Sequence, residues 1–160
     1  MLAQRRKTDQ MITQNGSRPI LLVEDSADDA ELTQIAFREA NILNPIVWCT
    51  DGVYALDYLL HRDKYSHLDE SDHPLLILLD IKMPRLDGFD VLAAIKEKPD
   101  LILIPVVVLT SSKEQEDILL SYQNGCNSYI RKPVNFGEFI EVIRQVGIYW
   151  LLTNIPSSQP

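Results

Sequence analysis

Short apolar runs alternate along this chain with stretches in which apolar residues recur every three or four positions. The runs are "PILLVE" at 19–24, "NPIVWCT" at 44–50, "LLILLD" at 75–80, "LIPVVVLT" at 103–110 and "NSYIRK" at 127–132. Each is too brief for a helix, and the first is rich in branched residues, so each reads as a strand, the more polar "NSYIRK" as a short fifth one. Between them, helical spacing predicts five helices. Ser26 and Asp29 form a capping-box pattern that opens a helix to about Ala40, with Leu32, Ile35 and Ala36 on one face. Val53, Leu56, Leu59 and Leu60 mark a helix within 51–61, and Phe89, Leu92 and Ile95 mark one from Gly88 to about Glu97. Ser112 and Gln115 suggest a second capping box, opening a helix with Ile118, Leu119 and Tyr122 that stops at Gly125. Phe136, Phe139, Ile140, Ile143 and Val146 mark the last.

Strands alternating with helices predict an α/β fold: a parallel sheet covered by helices on both faces. The runs at 19–24, 75–80 and 103–110 are apolar almost throughout, as strands buried on both faces should be. Residues 62–74 hold two histidines and four acids and read as a long loop, a solvated setting for His61, His67 and His73. Residues 1–18 lack periodicity and are expected to be a disordered tail, 19–148 the domain, and 149–160 a C-terminal tail. The apolar "YWLL" at 149–152 suits either packing on the core or part of an interface.

At 160 residues, the chain has room for one domain with a proper core. A net charge of −8 argues against nucleic-acid binding through a basic face. The two cysteines, Cys49 and Cys126, have no His or Cys neighbours at metal spacing and read as buried small hydrophobes. The N-terminus has early basic residues but no apolar stretch behind them, so no secretory signal is expected, and no run reaches the ~20 apolar residues of a membrane span. A cytoplasmic location follows as the expectation.

Open parallel sheets bind ligands beyond the carboxyl ends of their strands. Glu24-Asp25, Asp80, Thr110-Ser111 and Lys132-Pro133 stand at those ends here. Two carboxylates ~4 Å apart repel by about 4 kcal/mol at an effective dielectric near 20. Three together call for a cation, and an all-oxygen set suits Mg²⁺ and argues against zinc.

The stretches "ILLVEDSADD" (20–29), "LILLDIKMPRLDGFDVL" (76–92), "IPVVVLTSS" (104–112) and "GCNSYIRKP" (125–133) resemble the receiver domain of two-component response regulators. They occur in that family's order and spacing, over about residues 19–148. The loop at 62–74, the chain length and the "YWLL" are similar to the phytochrome-associated response regulators. The resemblance implies a flavodoxin-like (βα)5 doubly wound fold with strand order 2-1-3-4-5. It implies Asp80 as phosphoacceptor, with Glu24, Asp25, Asp80 and the backbone carbonyl of Lys82 holding Mg²⁺, for which Mn²⁺ can substitute. Thr110 would hydrogen-bond the phosphoryl oxygens, Lys132 would neutralise them, and Tyr129 would be the aromatic switch residue. The Lys132–Pro133 peptide would be cis. The donor would be a sensor histidine kinase, a phytochrome by the narrower resemblance. Apart from the resemblance, a protein-binding surface is the expected output, and the apolar residues at 148–152 favour homodimerisation through the face that carries the last helix and strands four and five.

Two positions depart from the family pattern. Lys82 is long and cationic, and pointing over the site it would alter phosphodonor access or the lifetime of the acyl phosphate; Ser111 occupies a position that is usually smaller. Two other readings compete with the receiver. An aspartate-nucleophile phosphatase of the haloacid dehalogenase type needs a second aspartate where Lys82 stands. A pseudo-receiver adaptor would work by binding alone, without phosphorylation.

Overall fold

Strands buried on both faces need apolar side chains at every position, and the three most apolar runs take the centre of the sheet. The computed structural model describes residues 18–153. Its strands are β1 (Ile20–Val23), β2 (Ile46–Cys49), β3 (Leu76–Leu79), β4 (Val106–Thr110) and β5 (Ser128–Arg131). All neighbours pair in parallel, in the order β2-β1-β3-β4-β5. Every residue of β1, β3 and β4 is buried, whereas β5 at the edge has none that is fully buried. The expected disordered tail falls almost wholly outside the described residues.

The helices are α1 (Ala27–Glu39), α2 (Gly52–Leu59), α3 (Gly88–Lys96), α4 (Gln115–Gln123) and α5 (Phe136–Gly147). Alternation along the strands builds two apolar layers. Ile20, Leu22, Leu76, Leu78, Val107 and Leu109 point to the side covered by α1 and α5, where Phe37, Phe139 and Ile143 are buried. Leu21, Val23, Ile77, Leu79, Val106 and Val108 point to the other side, against Ala55, Leu59, Val91, Leu92 and Ile95 of α2 and α3. Cys49 and Cys126 are both free and buried, as expected.

Four local readings are corrected. The buried face of α1 is Ala30, Thr33, Ala36 and Phe37, with Leu32 and Ile35 only half-buried. The first residue of α4 is Gln115, not a residue beside Ser112, because Ser112 spends its hydroxyl on Asp117 and Glu114 takes the cap position without a side-chain bond. Residues 62–74 are ordered by two 3₁₀ turns, Asp63–Tyr65 and Glu70–Asp72, the second with a reciprocal Asp69/Asp72 capping box. The Arg18 guanidinium ties that segment to β1 by donating to the His73 and Pro74 carbonyls. As a result His73 is buried, while His67 is exposed and His61 half-buried. After α5 the chain continues as a π turn, Ile148–Thr153, in which Trp150 and Leu151 pack on the α1/α5 layer and Tyr149 is exposed.

Gly88 starts α3 directly behind the end of β3. A Cβ there would lie 2.5 Å from the Asp80 carbonyl oxygen and 2.6 Å from Ile81 Cα, so glycine is what admits the helix so close.

His73 supplies a pH dependence. Its Nε2 has no hydrogen-bond partner, its ring stacks on His61, and the Asp100 carboxylate lies 3.9 Å away. Burial, reinforced by His61 and opposed by Asp100, lowers its pKa from 6.5. The unfolded chain therefore binds the proton more tightly. His73 contributes stability that is present above pH 6.5 and is lost as pH falls towards the folded value. In urea titrations, His73→Gln is expected to flatten the fall in unfolding midpoint below that pH; an unchanged slope would assign the dependence to other groups.

Candidate functional site

A parallel sheet gathers the carboxyl ends of all its strands on one edge, and four charged side chains meet there. Glu24 follows β1, Asp80 follows β3, and Lys132 follows β5. Asp29 reaches the same point from the first turn of α1. The Lys132 ammonium donates to Glu24 Oε2 at 2.6 Å, Asp29 Oδ2 at 2.8 Å and Asp80 Oδ2 at 3.0 Å. The side chains of Lys132, Glu24 and Asp80 are 8%, 4% and 7% exposed, so these are interactions in a low-dielectric setting.

The second oxygens of Glu24 and Asp80 are also engaged. Glu24 Oε1 accepts from the Ser26 amide at 3.1 Å, and Asp80 Oδ1 accepts from the Lys82 amide at 3.0 Å. The Trp48 indole donates to the Glu24 carbonyl at 2.7 Å, holding the end of β1 to the edge strand. Burial pushes the Glu24 carboxyl up to about 7 against the pull of Lys132, with Asp80 adding to the rise. Burial opposes the charge on Lys132, but Asp80, Asp29 and Glu24 outweigh it and hold the ammonium above its ordinary pKa.

Glu24, Asp25 and Asp80 each bring a carboxylate oxygen within 4.8 Å of the others. Glu24 and Asp80 are buried and Asp25 is exposed. The donor set is all oxygen, and burial disfavours the charge on Glu24, so it fits a hard divalent cation. Thr110 is fully buried, and its Oγ1 accepts from the Ser112 amide at 3.3 Å. Tyr129 is half-buried and its hydroxyl donates to the Ser112 carbonyl at 2.9 Å. Ser111 is exposed. The Lys132–Pro133 peptide is trans, contrary to the cis form implied by the resemblance; Lys132 reaches its three acids in the trans arrangement.

Lys82 does not lie over Asp80. Its ammonium pairs with Asp117 Oδ2 at 3.2 Å, and the same oxygen accepts from Ser112 Oγ at 2.5 Å. The Ser112 bond, helped by Lys82 and opposed by burial, lowers the pKa of Asp117. Asp29 and Asp117 are the residues that sequence reasoning missed. Asp29, in the first turn of α1 and four residues after Asp25, is a fourth acid near the strand ends, a signal that its place in the capping pattern hides. Asp117 gave no such signal, since an acid in a first helical turn is ordinarily a solvated one.

A doubly wound 2-1-3-4-5 sheet with acids and a lysine at its carboxyl edge defines a class of signalling domain. The chain belongs to that family: the response regulator receiver domain model matches residues 20–144. Receiver domains take their phosphoryl group from histidine kinases. Response regulator Rcp1 of Synechocystis sp. is 38% identical over 139 residues, covering 87% of this chain and 92% of its own. Among solved structures, the phosphorylated cyanobacterial phytochrome response regulator RcpA superposes with a TM-score of 0.83 at 37% identity, over 89% of this chain and 99% of that one. The Mn²⁺-bound form of Rcp1 gives 0.81 at 36% identity, over 88% and 99%. Among the described residues no helix is long and apolar enough to cross a membrane.

Lys132 is the cation on which the cluster depends. Lys132→Met leaves Glu24, Asp29 and Asp80 without it, and is expected to cost about 3–5 kcal/mol of unfolding free energy in metal-free buffer. Urea denaturation measures it; a loss below about 1 kcal/mol would mean that the acids are compensated by other groups.

Proposed function

We propose that this protein is a response regulator that accepts a phosphoryl group from a sensor histidine kinase on Asp80 and thereby switches a protein-binding surface. The observation that carries this reading is the placement of Asp80, at the end of the central strand and hydrogen-bonded to Lys132 beside two further acids. A carboxylate is a competent nucleophile toward phosphorus, and the remaining task of the site is positioning and charge neutralisation.

In the proposed step a carboxylate oxygen of Asp80 attacks phosphorus. The P–N bond of the kinase's phosphohistidine breaks, its electron pair stays on nitrogen, and the imidazole leaves neutral when its other nitrogen carries a proton. The new P–O bond makes an acyl phosphate. Lys132, already at Asp80, follows the phosphoryl oxygens and offsets their charge. Glu24, Asp25, Asp80 and the Lys82 carbonyl would hold Mg²⁺, or Mn²⁺ in its place, which supplies further positive charge against those oxygens. Thr110 turns its hydroxyl to the phosphoryl group and gives up its bond from the Ser112 amide. Tyr129, bonded to the same residue's carbonyl, then changes position, and β4, α4 and β5 shift with it.

The receiver unit is assigned to 19–148, and the pathway to a phytochrome in the cytoplasm; the likeness to Rcp1 and RcpA supports the second. The phosphatase reading has Lys82 where it needs an acid. Incubation with phosphoramidate and Mg²⁺, followed by intact-mass measurement, tests the assignment. A single phosphoryl adduct on the natural chain, absent from Asp80→Asn, is expected. An adduct that survives the substitution would move the acceptor elsewhere, and no adduct would favour the adaptor that works by binding alone.

For the homodimer, Val134 and Phe136 at the start of α5 are exposed, as are Leu119 and Tyr122 of α4. Phe136 lies on the last helix of the proposed face, and the exposed groups of α4 lie beyond the elements first assigned to it. Phe136→Lys is expected to convert a dimer to a monomer in sedimentation velocity on the phosphorylated protein; an unchanged mass would place the contact on another face.

A further inference from the structure

α4 is anchored unlike the other helices. Its buried residues are Asp117 and Ser121, while Leu119, Leu120 and Tyr122 are 58%, 42% and 51% exposed. Polar bonds therefore do much of the work that apolar contacts do elsewhere. Ser121 Oγ donates to the Asp117 carbonyl at 2.7 Å within the helix. The bonds that leave the helix at its first turn both go through the Asp117 carboxylate, to Lys82 and to Ser112.

Lys82 is the natural competitor in this arrangement. Its amide touches Asp80 Oδ1, so its side chain springs from the rim of the phosphoacceptor site. That side chain is 57% exposed and holds one partner, a carboxylate of single charge that is 10% exposed. A phosphoryl group on Asp80 would bring close to two negative charges to the same neighbourhood. A flexible ammonium between two anions follows the larger charge.

We propose that Lys82 exchanges partners when Asp80 is phosphorylated, leaving Asp117 for the phosphoryl oxygens, and that Asp117 is a positioning residue that holds Lys82 off the site beforehand. The exchange strips Asp117 of its cation. A buried carboxylate held by one hydroxyl is unstable in place. The loop from Ser112 into α4 rearranges as a result, and the Tyr129 hydroxyl, bonded to Ser112, goes with it. Lys82 thus reports the phosphoryl group to α4 by a route separate from Thr110. This rests on the phosphoacceptor reading of Asp80 and adds to it.

The test is an equilibrium titration with beryllofluoride, a phosphoryl mimic, at saturating Mg²⁺, read by tryptophan fluorescence. Trp48 is bonded to the Glu24 carbonyl and reports the site. Asp117→Asn keeps an acceptor for Ser112 but releases Lys82, and is expected to tighten binding about two- to fivefold, the scale of a partly exposed ion pair. Lys82→Met is expected to weaken binding by a similar factor, and its exposed side chain makes the variant safe to fold. In the Lys82→Met background Asp117→Asn should have no further effect. Tightening that persists without Lys82, or unchanged affinity in Lys82→Met, overturns the exchange. Should Asp117→Asn fail to fold, the Lys82→Met arm decides alone. No binding to the natural chain would overturn the phosphoacceptor reading itself, whereas tight binding with equal affinities in all variants removes only this inference.

Discussion

One ammonium group holds the functional edge of this molecule together. A parallel sheet collects what each strand carries at its carboxyl end, and here β1 and β3 both carry acids while α1 adds Asp29 to them. Buried carboxylates at such spacing raise one another's free energy unless a cation lies among them. Lys132 is that cation, within 3.0 Å of Glu24, Asp29 and Asp80. It arrives from β5, the last strand of the sheet, so the site is complete only when the whole sheet has formed.

The helices around the sheet are held by different kinds of contact. α1 and α5 are held by a continuous apolar layer containing Phe37, Phe139 and Ile143. α4 buries a carboxylate and a hydroxyl instead. Apolar contact is non-directional and survives small shifts, whereas an ion pair and a hydrogen bond are lost or exchanged as units. An element held by the second kind can have two discrete positions separated by a modest free energy, which a switch requires. The exposed Leu119, Leu120 and Tyr122 lie on that element, so movement there changes the surface a partner would meet.

Much of this was legible in the sequence. The five parallel strands with helices on both faces, and the meeting of Glu24, Asp25, Asp80 and Lys132, follow from apolar runs that end on polar residues, while the strand order came from the family resemblance alone. What was not legible has a common cause. Apolar periodicity assigns each helix an inward face, and at α4 that rule placed Ile118, Leu119 and Tyr122 inside when Asp117 and Ser121 are the buried residues. Capping patterns likewise claimed Ser112 and Asp29 for local work. Ser112 serves Asp117, and Asp29, whose amide does donate to the Ser26 cap, sends its carboxylate to Lys132. His73 was misplaced because a polar loop composition says nothing of the Arg18 bonds that fold the loop against the sheet. At Asp29, Asp117 and His73 a polar partner distant in sequence overrode a local pattern, and one sequence does not display such partners.

The two lysines of the site have opposite surroundings, and on the proposed function this divides its tasks between them. Lys132 is 8% exposed and bonded to three acids, so moving it would uncover all three at once. It can shift with the phosphoryl oxygens but cannot leave. Lys82 is 57% exposed and has a single carboxylate partner, so water can replace part of what it gives up. A fixed cation suits neutralisation at the reacting group, and a movable one suits reporting that the group has arrived. Exchanging the surroundings of the two would undo the proposed division: a mobile Lys132 would leave the acids uncompensated, and a locked Lys82 could not pass from Asp117 to a phosphoryl group on Asp80.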